Sequence, residues 1–379
     1  MGAICGVRDH ATLLAAALAE VDVACSLHWL SREQRSLRGS RAEMRAWGTR
    51  LAAELDAQQP DAILLHYSVF SYSHRGMPVY VAPMLATLRR TGAPIVTVLH
   101  EFVYPWGLGG PRGLAWALTQ RAAVIDVVRT SAALVVTTPS RVDWLVSRRW
   151  LPRRPMALAP VFSNLPAPVA PLASAQHAPR RIGLFGYAYQ GVARGLVLDA
   201  ARLLSMRGVD FRLALLGAPG PNSPAAAAWR EQARVRGVGD RLEFSGVLPA
   251  RELADALAAC DVLLHAEPEG PTARKTTLAA SLASGAPVVA LDGPRRWQEL
   301  VAAHAAAVVT PTPDAVAAAV ARLLSDERMR AALGERGAAF AENAMGVRRS
   351  ARAVARLLDE LRRSSPAGPH GGRSRELVG

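Results

Sequence analysis

Short apolar runs alternate with helix-like segments along most of this 379-residue chain, and this alternation constrains the fold more than any other feature. Neighbouring parallel strands need a crossover of about a dozen residues, which a helix usually supplies. The alternation therefore predicts βαβ units, in which helices cover a parallel sheet. The predicted strands are residues 21–27, 62–67, 95–99, 133–137, 181–185, 211–216, 241–244, 262–265 and 288–291.

Start and stop signals place the helices between these strands. Ser40 and Glu43 have the spacing of a capping box, so a helix is predicted to start there and to end near Ala57, before Pro60. Asp9 is the predicted N-cap of the first helix. Further helices are predicted over residues 81–90, 111–129, 195–207 and 272–285 and after Ser140.

The strand–helix pattern stops once and restarts, which predicts two α/β domains, and the chain length suits two. Residues 166–180, rich in Pro and Ala, have no periodicity and form the predicted linker. We expect doubly wound, Rossmann-like domains over residues 1–165 and 181–345, facing each other across a cleft. Residues 346–363 form a predicted helix that packs back on the N-terminal domain, and residues 364–379 a predicted disordered tail.

The N-terminal end is short for such a domain. Only Met1 to Cys5 precede the first predicted helix, although a doubly wound domain begins with a strand. Either that strand is unusually short, or the natural start lies several residues upstream, and we favour the second alternative. Arg8 and His10 come too early for a signal peptide.

The rest of the composition narrows the class of protein. No apolar run reaches the roughly twenty residues that span a bilayer, so we expect a cytoplasmic protein. The three cysteines, Cys5, Cys25 and Cys260, are scattered and lack metal-ligand spacing. Free cysteines are commonly buried, and we therefore expect neither a disulfide framework nor a zinc site.

The net charge of +14 favours an anionic partner, and Lys275 is the only lysine among the 45 basic residues. A nucleic-acid partner is not expected, because no nucleic-acid-binding motif is present. Arginines recur over residues 32–45 and 148–154. They are typical either of weak docking on anionic lipid, peripheral at the inner membrane face, or of a solvated arginine-rich surface, and both interpretations stay open.

The segment from Glu267 to Gly285 holds the leading candidate site. Arg274 and Lys275 fall in the first turn of a predicted helix, where the helix dipole disfavours each cation by about 0.3–1 kcal/mol. An anion shared by the free backbone N–H groups and both side chains explains this placement. The alternative is that Glu267 and Glu269 neutralise the two cations. We predict an anion site formed by Glu269, Gly270, Pro271, Thr272, Arg274, Lys275, Thr276 and Thr277.

Further candidates follow strands or open helices, where ligands of open α/β sheets bind. A glycine turn at Gly6, or a strand end at Gly186, lets the backbone approach a phosphate. Histidines at strand ends offer hydrogen bonds to a sugar hydroxyl. The sequence has no nucleophile elbow, Walker A loop or histidine pair at metal spacing, so no metal site is predicted. The candidates are Gly6, Val7, Gly186 and Arg194 for the donor, His100 for catalysis, and His10, His66 and Glu101 on the acceptor side.

Several segments together resemble GT-B fold glycosyltransferases, in particular the retaining enzymes of family 4, over nearly the whole chain to about residue 360. They are residues 5–10, 100–101, 237–247, 259–264, 284–290 and 323–330. The resemblance implies that the C-terminal domain binds a nucleotide sugar as co-substrate and the N-terminal domain binds the acceptor, with no metal or cofactor. Positive charges and N–H groups would stabilise the departing nucleoside diphosphate, with transfer on the face that it leaves.

One departure from this family affects the donor site. Members usually carry two glutamates at a fixed spacing before the Gly-x-Pro-Val-Val stretch. Counting back from Gly285 places them on Thr272 and Ala280, and counting forward from Glu269 places the second on Thr277. The usual ribose-binding carboxylate is therefore absent or displaced. We expect a glycosyltransferase acting on an unknown acceptor (a glycan, a lipid-linked compound or a small natural product). The alternative is a catalytically silent nucleotide-sugar-binding protein or partner subunit.

Overall fold

The computed structural model describes residues 6–101, 103, 106–107, 110–169, 179–189 and 191–364. The chain divides into two compact units. The first comprises Met1–Ala159 with the residues from Ser350 onward, and the second comprises Pro160–Arg349. Residues 1–5, most of the predicted linker, and residues 365–379 of the predicted tail lie outside the described residues.

The first unit contains a parallel sheet whose described strands follow one another in chain order. These are β1 (Ile63–Ser68), β2 (Ile95–Glu101), β3 (Ala133–Val136) and β4 (Met156–Leu158). Helices precede or connect them: α1 (Gly6–Ala19), α2 (Leu37–Gln58), α3 (Val81–Arg89), α4 (Gly110–Thr130) and α5 (Pro139–Val146).

The two faces of this sheet carry different residues, because successive side chains of a strand point to opposite sides. Tyr67 and Leu99 pack in one core with α2, α3 and α4. His66 and His100 have the opposite parity, and α1 packs against β1. The alternation therefore separates these two histidines from the large apolar core of the unit.

The second unit contains a six-stranded parallel sheet in the order β10-β9-β8-β5-β6-β7. The strands are β5 (Arg180–Phe185), β6 (Phe211–Leu216), β7 (Leu242–Gly246), β8 (Val262–His265), β9 (Val288–Leu291) and β10 (Ala307–Val309). The chain builds outwards from β5 in one direction and then from β8 in the other. In open α/β sheets such a reversal marks the place where ligands bind, beyond the carboxyl ends of the two central strands.

Helices cover both faces of the second sheet. One core contains α6 (Arg194–Met206), α7 (Pro224–Val235) and α11 (Pro313–Ser325). The other contains α8 (Ala250–Ala258), α9 (Thr276–Ala283), α10 (Gln298–Ala302) and the end of α12 (Glu327–Met345). The last helix, α13 (Val347–Ser364), lies in the first unit from Ser350 onward. The predicted α/β fold class with parallel sheets is confirmed.

Three sequence predictions of local structure are wrong. Residues 21–27 form no strand, and no described strand pairs with them. Most of their side chains are therefore exposed. Helix α2 begins earlier than predicted because Ser36 is its N-cap and accepts from the Gly39 N–H at 3.1 Å. Ser40 is buried inside the helix and bonds to the Tyr80 hydroxyl. Asp9 lies in the first turn of α1 and not at its N-cap.

Two short strands, β4 and β10, were not predicted, because three residues give too little pattern to detect. The chain enters the second unit at Pro160, ahead of the predicted linker, and the Val161 N–H donates to the Ala273 carbonyl at 2.9 Å. Among the described residues, no helix is both long and apolar enough to cross a bilayer.

Candidate functional site

The strand-order reversal of the second unit brings two turns together. Strand β5 ends before Gly186, whose φ of +78° lies in the left-handed region that favours glycine. A Cβ on Gly186 would lie 2.9 Å from Thr277 Cγ2, in the first turn of α9. Gly186 therefore lets the turn after β5 lie directly against the N-terminus of α9.

The loop from Glu267 to Lys275, which joins β8 to α9, is held on both sides by backbone hydrogen bonds. The Arg295 N–H donates to the Glu269 carbonyl at 2.9 Å, and the Trp297 N–H donates to the Pro271 carbonyl at 2.8 Å. Within the loop, the Gly270 N–H donates to the Glu267 carbonyl at 3.0 Å. These bonds fix the loop before any ligand binds, which lowers the entropic cost of binding.

Lys275 is the N-cap residue of α9, whereas the sequence placed it and Arg274 inside the helix. Residues 272–275 form a turn instead, and the helix begins at Thr276. Lys275 Nζ lies 2.5 Å from the Glu267 carboxylate and 5.8 Å from the centre of the Tyr189 ring. The side chain of Glu267 is only 8% exposed, so this ion pair is largely removed from water.

The predicted alternative, neutralisation by glutamates, therefore holds in part. Glu267 compensates the charge of Lys275. Glu269 pairs with Arg295 at 3.3 Å, on the far side of the loop, so it is not the partner that the sequence suggested for Arg274. The ion pair holds Lys275 Nζ in one position beside the helix N-terminus. Arg274, the residue before Lys275, is half-buried.

Three polar atoms near this turn are buried and have no hydrogen-bond partner among the described residues: Thr272 Oγ1, His265 Nε2 and Arg194 Nε. Leaving such a group unsatisfied costs about 1–3 kcal/mol, so ligands and waters are the usual partners. Burial lowers the pKa of His265 to about 4, with Glu267 raising it and Lys275 lowering it by smaller amounts. His265 is therefore a neutral imidazole at physiological pH.

Together these groups have the chemistry that binds an anion. The first N–H groups of α9 have no partner within the helix, and the positive end of the helix dipole points the same way. Lys275 adds a fixed positive charge, and Thr272 and Thr276 add hydroxyl groups next to it. Arg194 is the first residue of α6. The start of this helix is held beside the end of β8 by a 2.8 Å hydrogen bond from the Ala193 N–H to the Ala266 carbonyl. The geometry suits a phosphate or diphosphate group.

A second cluster of polar side chains lies in the first unit. His10 on α1, His66 on β1 and His100 on β2 place ring nitrogens within 4.8 Å of one another. His66 Nδ1 and His100 Nε2 share a hydrogen bond of 3.0 Å. His10 is 5% exposed, while His66 and His100 are half-buried. We call these three residues the histidine cluster.

A β-bulge and an arginine position His100 within the histidine cluster. Tyr67 pairs with Leu99, but Ser68 pairs with Glu101, so His100 is an extra residue in β2. Bulges re-aim side chains and are common beside functional sites. Arg141 donates from Nη1 to the His100 carbonyl at 2.7 Å and to Thr137 Oγ1 at 2.9 Å. The sequence placed His100 and Glu101 after the strand, whereas both belong to it.

The structure thus divides the predicted site residues between the two units. Gly6 and Val7, predicted to bind the donor, are the first residues of α1 in the first unit, on the same helix as His10. A Cβ on Gly6 would meet nothing within 4 Å, so the protein itself does not require glycine there. The other predicted donor residues lie in the second unit, around α9 and α6.

Sequence reasoning missed three residues that position these sites: Tyr189, Arg141 and Gly293. A Cβ on Gly293 would overlap the backbone of Pro268, Glu269 and Gly270, so this glycine allows residues 268–270 to pack against the segment after β9. No local signal marks such a glycine, because its neighbours are distant in sequence.

Comparison with known proteins gives a family for part of the second unit. Residues 180–326 match the family model described as "Glycosyl transferases group 1". The matched segment contains β5, β8, α9 and the loop between β8 and α9. This segment is therefore similar to glycosyl transferases group 1, which supports a glycosyltransferase enzyme. No curated protein matches the sequence.

Solved structures match nearly the whole chain at low identity. A sucrose-phosphate synthase from Thermosynechococcus elongatus is 18% identical with a TM-score of 0.68, covering 95% of this chain and 94% of that one. Alr3699/HepE of Anabaena, in complex with UDP and glucose, is 15% identical with a TM-score of 0.63, covering 95% and 97%. WaaG, a glycosyltransferase involved in lipopolysaccharide biosynthesis, is 14% identical with a TM-score of 0.61, covering 92% and 96%. At these identities the likeness shows the two-domain fold of GT-B glycosyltransferases.

Proposed function

We propose that this protein transfers a sugar from a nucleotide-sugar donor to an acceptor, and that the second unit holds the donor's diphosphate at the N-terminus of α9. The observation that carries the proposal is the position of Lys275. The chain's single lysine is the N-cap residue of the helix that begins at the strand-order reversal. The buried carboxylate of Glu267 holds its ammonium group there.

In this proposal the protein acts mainly on the leaving group. Negative charge builds on the diphosphate as the bond to the sugar breaks, and fixed positive groups stabilise that charge more than they stabilise the bound donor. Lys275, the first N–H groups of α9, Arg194 and Arg274 are the groups in question. They make a metal ion at the diphosphate unnecessary, and transfer on the face that the diphosphate leaves would retain the configuration of the sugar.

The identity of the donor is proposed from the structural neighbours. Alr3699/HepE was solved with UDP alone and with UDP and glucose, so uridine diphosphate sugars are the first donors to test. The usual ribose-binding carboxylate has no equivalent on α9. Thr277 and Ala280, where the counts place it, are buried in that helix, and Glu267 is engaged by Lys275. Ribose recognition would therefore depend on other groups, which we expect to weaken nucleotide discrimination.

For the acceptor side we propose the first unit, with His10, His66 and Glu101 as candidate contacts and His100 as the candidate catalytic residue. No cofactor is proposed, because the nucleotide sugar is itself a substrate. Because the ribose-binding carboxylate is missing, one alternative function remains: a catalytically silent protein that binds nucleotide sugars without transferring them.

A donor screen separates these two functions. The protein is incubated with UDP-, GDP-, ADP- and TDP-sugars, and nucleoside diphosphate release is measured, with Lys275→Met as the matched variant. We expect slow release from at least one donor, even without acceptor, and loss of that release in the variant. Thermal stabilisation by a donor without any release would support the silent binder. Neither stabilisation nor release by any donor would contradict donor binding altogether.

Membrane contact is a further part of the proposal, favoured by a surface at the end of α5. Trp150 is 56% exposed and Val146 is 45% exposed, and both lie among Arg148, Arg149 and Arg153. Exposed aromatic and cationic side chains together are typical of docking on anionic lipid. This would place the protein in the cytoplasm, peripheral at the inner membrane face.

We expect the protein to sediment with phosphatidylglycerol vesicles at low salt and to be released at high salt, because the Debye length shortens from roughly 30 Å at 0.01 M to about 3 Å at 1 M. Trp150→Ser should weaken sedimentation severalfold. Met206→Ser, which removes a 70% exposed apolar side chain from the second unit, should leave it unchanged. Equal sedimentation of both variants would leave a solvated arginine surface as the explanation.

A further inference from the structure

We propose that His10, His66 and His100 bind a divalent transition-metal ion of the zinc class in the first unit. The proposal is independent of the donor site in the second unit and is tested by metal binding alone. Because a bound ion would occupy the same three imidazoles, it is an alternative to their proposed contacts with the acceptor.

The first argument is the origin of the three ligands. They come from three different elements, α1, β1 and β2, and from segments far apart in sequence. Here a sheet, the helix packed against it and a β-bulge converge on one point, which gives the ligands the rigid support that metal sites need.

The second argument is distance. Zinc bound to histidine has Zn–N bonds of about 2.0–2.1 Å, so two nitrogens of a tetrahedral site lie about 3.4 Å apart. His66 Nδ1 and His100 Nε2 are 3.0 Å apart, and no ligand nitrogen is more than 4.8 Å from another. The largest separation exceeds the tetrahedral value by about 1.4 Å, so the rings must rotate for all three nitrogens to reach one ion. The ring planes of His10 and His100 are nearly perpendicular, at 87°, and their centroids lie 4.8 Å apart.

The donor set selects the kind of ion. Imidazole nitrogens suit zinc, copper, nickel and iron, whereas calcium and magnesium prefer oxygen ligands. The described residues supply three histidines and no fourth ligand, and three protein ligands with an open position are the pattern of reactive and not of structural zinc sites. The positive charge of Arg141 near His100 opposes a dication, so we expect an affinity below that of structural zinc sites.

The test measures zinc binding to the full chain, purified without a polyhistidine tag and stripped with a chelator. A competition titration against a chromophoric chelator gives the affinity and stoichiometry. Cobalt, substituted for zinc, reports nitrogen coordination through its visible absorption. His10→Gln and His66→Gln remove ligands, and His304→Asn removes an exposed histidine of the second unit as the matched control.

We expect one zinc per chain. Removal of an outer-shell partner weakens metal binding by about 10–100-fold, and we expect each ligand variant to lose at least that much affinity. The control should match the wild type.

No zinc or cobalt binding by the wild type would overturn the proposal, as would equal binding by the wild type and both ligand variants. Where a ligand variant does not fold, the wild type decides through its cobalt spectrum at neutral pH. A tetrahedral nitrogen-coordinated spectrum supports the site, and the octahedral spectrum of hydrated cobalt contradicts it.

Discussion

Replacing Lys275 with methionine is expected to reduce turnover of the nucleotide-sugar donor by about 10²–10³-fold, the usual effect of removing one group that stabilises developing negative charge. Methionine keeps most of the side-chain volume beside the Tyr189 ring and removes the charge. The N-terminus of α9 and Arg194 remain, so residual activity should persist. Nucleoside diphosphate release at saturating donor separates this loss in kcat from weaker binding.

The design must allow for Glu267, because Lys275→Met leaves that buried carboxylate without its partner. Breaking a buried ion pair from one side costs about 3–5 kcal/mol, so lost activity alone could reflect unfolding. The double variant Lys275→Met with Glu267→Gln removes the orphaned charge. We expect it to recover stability against urea but not turnover.

Arg295→Met is the matched control for this prediction. It breaks the neighbouring exposed pair with Glu269, for which about 0–1 kcal/mol is typical. We expect stability and turnover close to the wild type. Full turnover in the stable double variant would refute a role for Lys275 in binding the diphosphate.

Buried parallel strands were the part of the fold best predicted from the sequence. The bounds of β6, β8 and β9 agree with the prediction at every residue, because strands covered on both faces are rich in apolar residues, and only Arg212 and His265 interrupt these three. The edge strands β1 and β7 were predicted to within two residues at each end. The edge strands β4 and β10 were missed, because each has only three residues.

Helix starts were predicted less well, since a cap depends on which side chain the tertiary structure leaves at the surface. Ser36 and Ser40 both have the chemistry of a cap, but Ser40 is buried beside Tyr80 and only Ser36 caps α2. At α9 the non-capping residue Lys275 occupies the N-cap, because Glu267 holds it there. Sequence spacing contains neither of these contacts.

The candidate sites, like the fold, were predicted from the sequence only in part. Ligand-binding groups commonly follow the ends of strands in such sheets. This rule predicted the positions of His66, His100 and Gly186 at the carboxyl edges of the two sheets. The association of His66 with His100 could not be read from spacing, because the two are 34 residues apart and neither lies in a metal motif. The ion pair of Lys275 with Glu267 was open to sequence reasoning, which offered it as the alternative to an anion site.

Gly293→Ala is expected to disturb the donor site from outside it. Its Cβ would overlap backbone atoms of Pro268, Glu269 and Gly270, and backbone cannot move aside as a flexible side chain does. The loop from Glu267 to Lys275 must therefore shift against its hydrogen bonds. Overpacking of this kind costs about 1–3 kcal/mol. We expect lower stability against urea and weaker protection by the donor, although residue 293 is not proposed to contact it.

Gly195→Ala is the matched control for Gly293→Ala, because the same methyl group is added in a place that accommodates it. The nearest atom to its Cβ is Arg236 Nη2, at an ordinary contact distance of 3.6 Å, and Gly195 lies within α6. Alanine in a helix is favoured over glycine by about 0.5–1 kcal/mol, so this variant should be slightly more stable than the wild type. Opposite signs for the two variants would assign the effect of Gly293→Ala to the displaced loop. Equal stability of both variants would mean that the loop accepts the methyl group, and that its backbone bonds to Arg295 and Trp297 do not fix it.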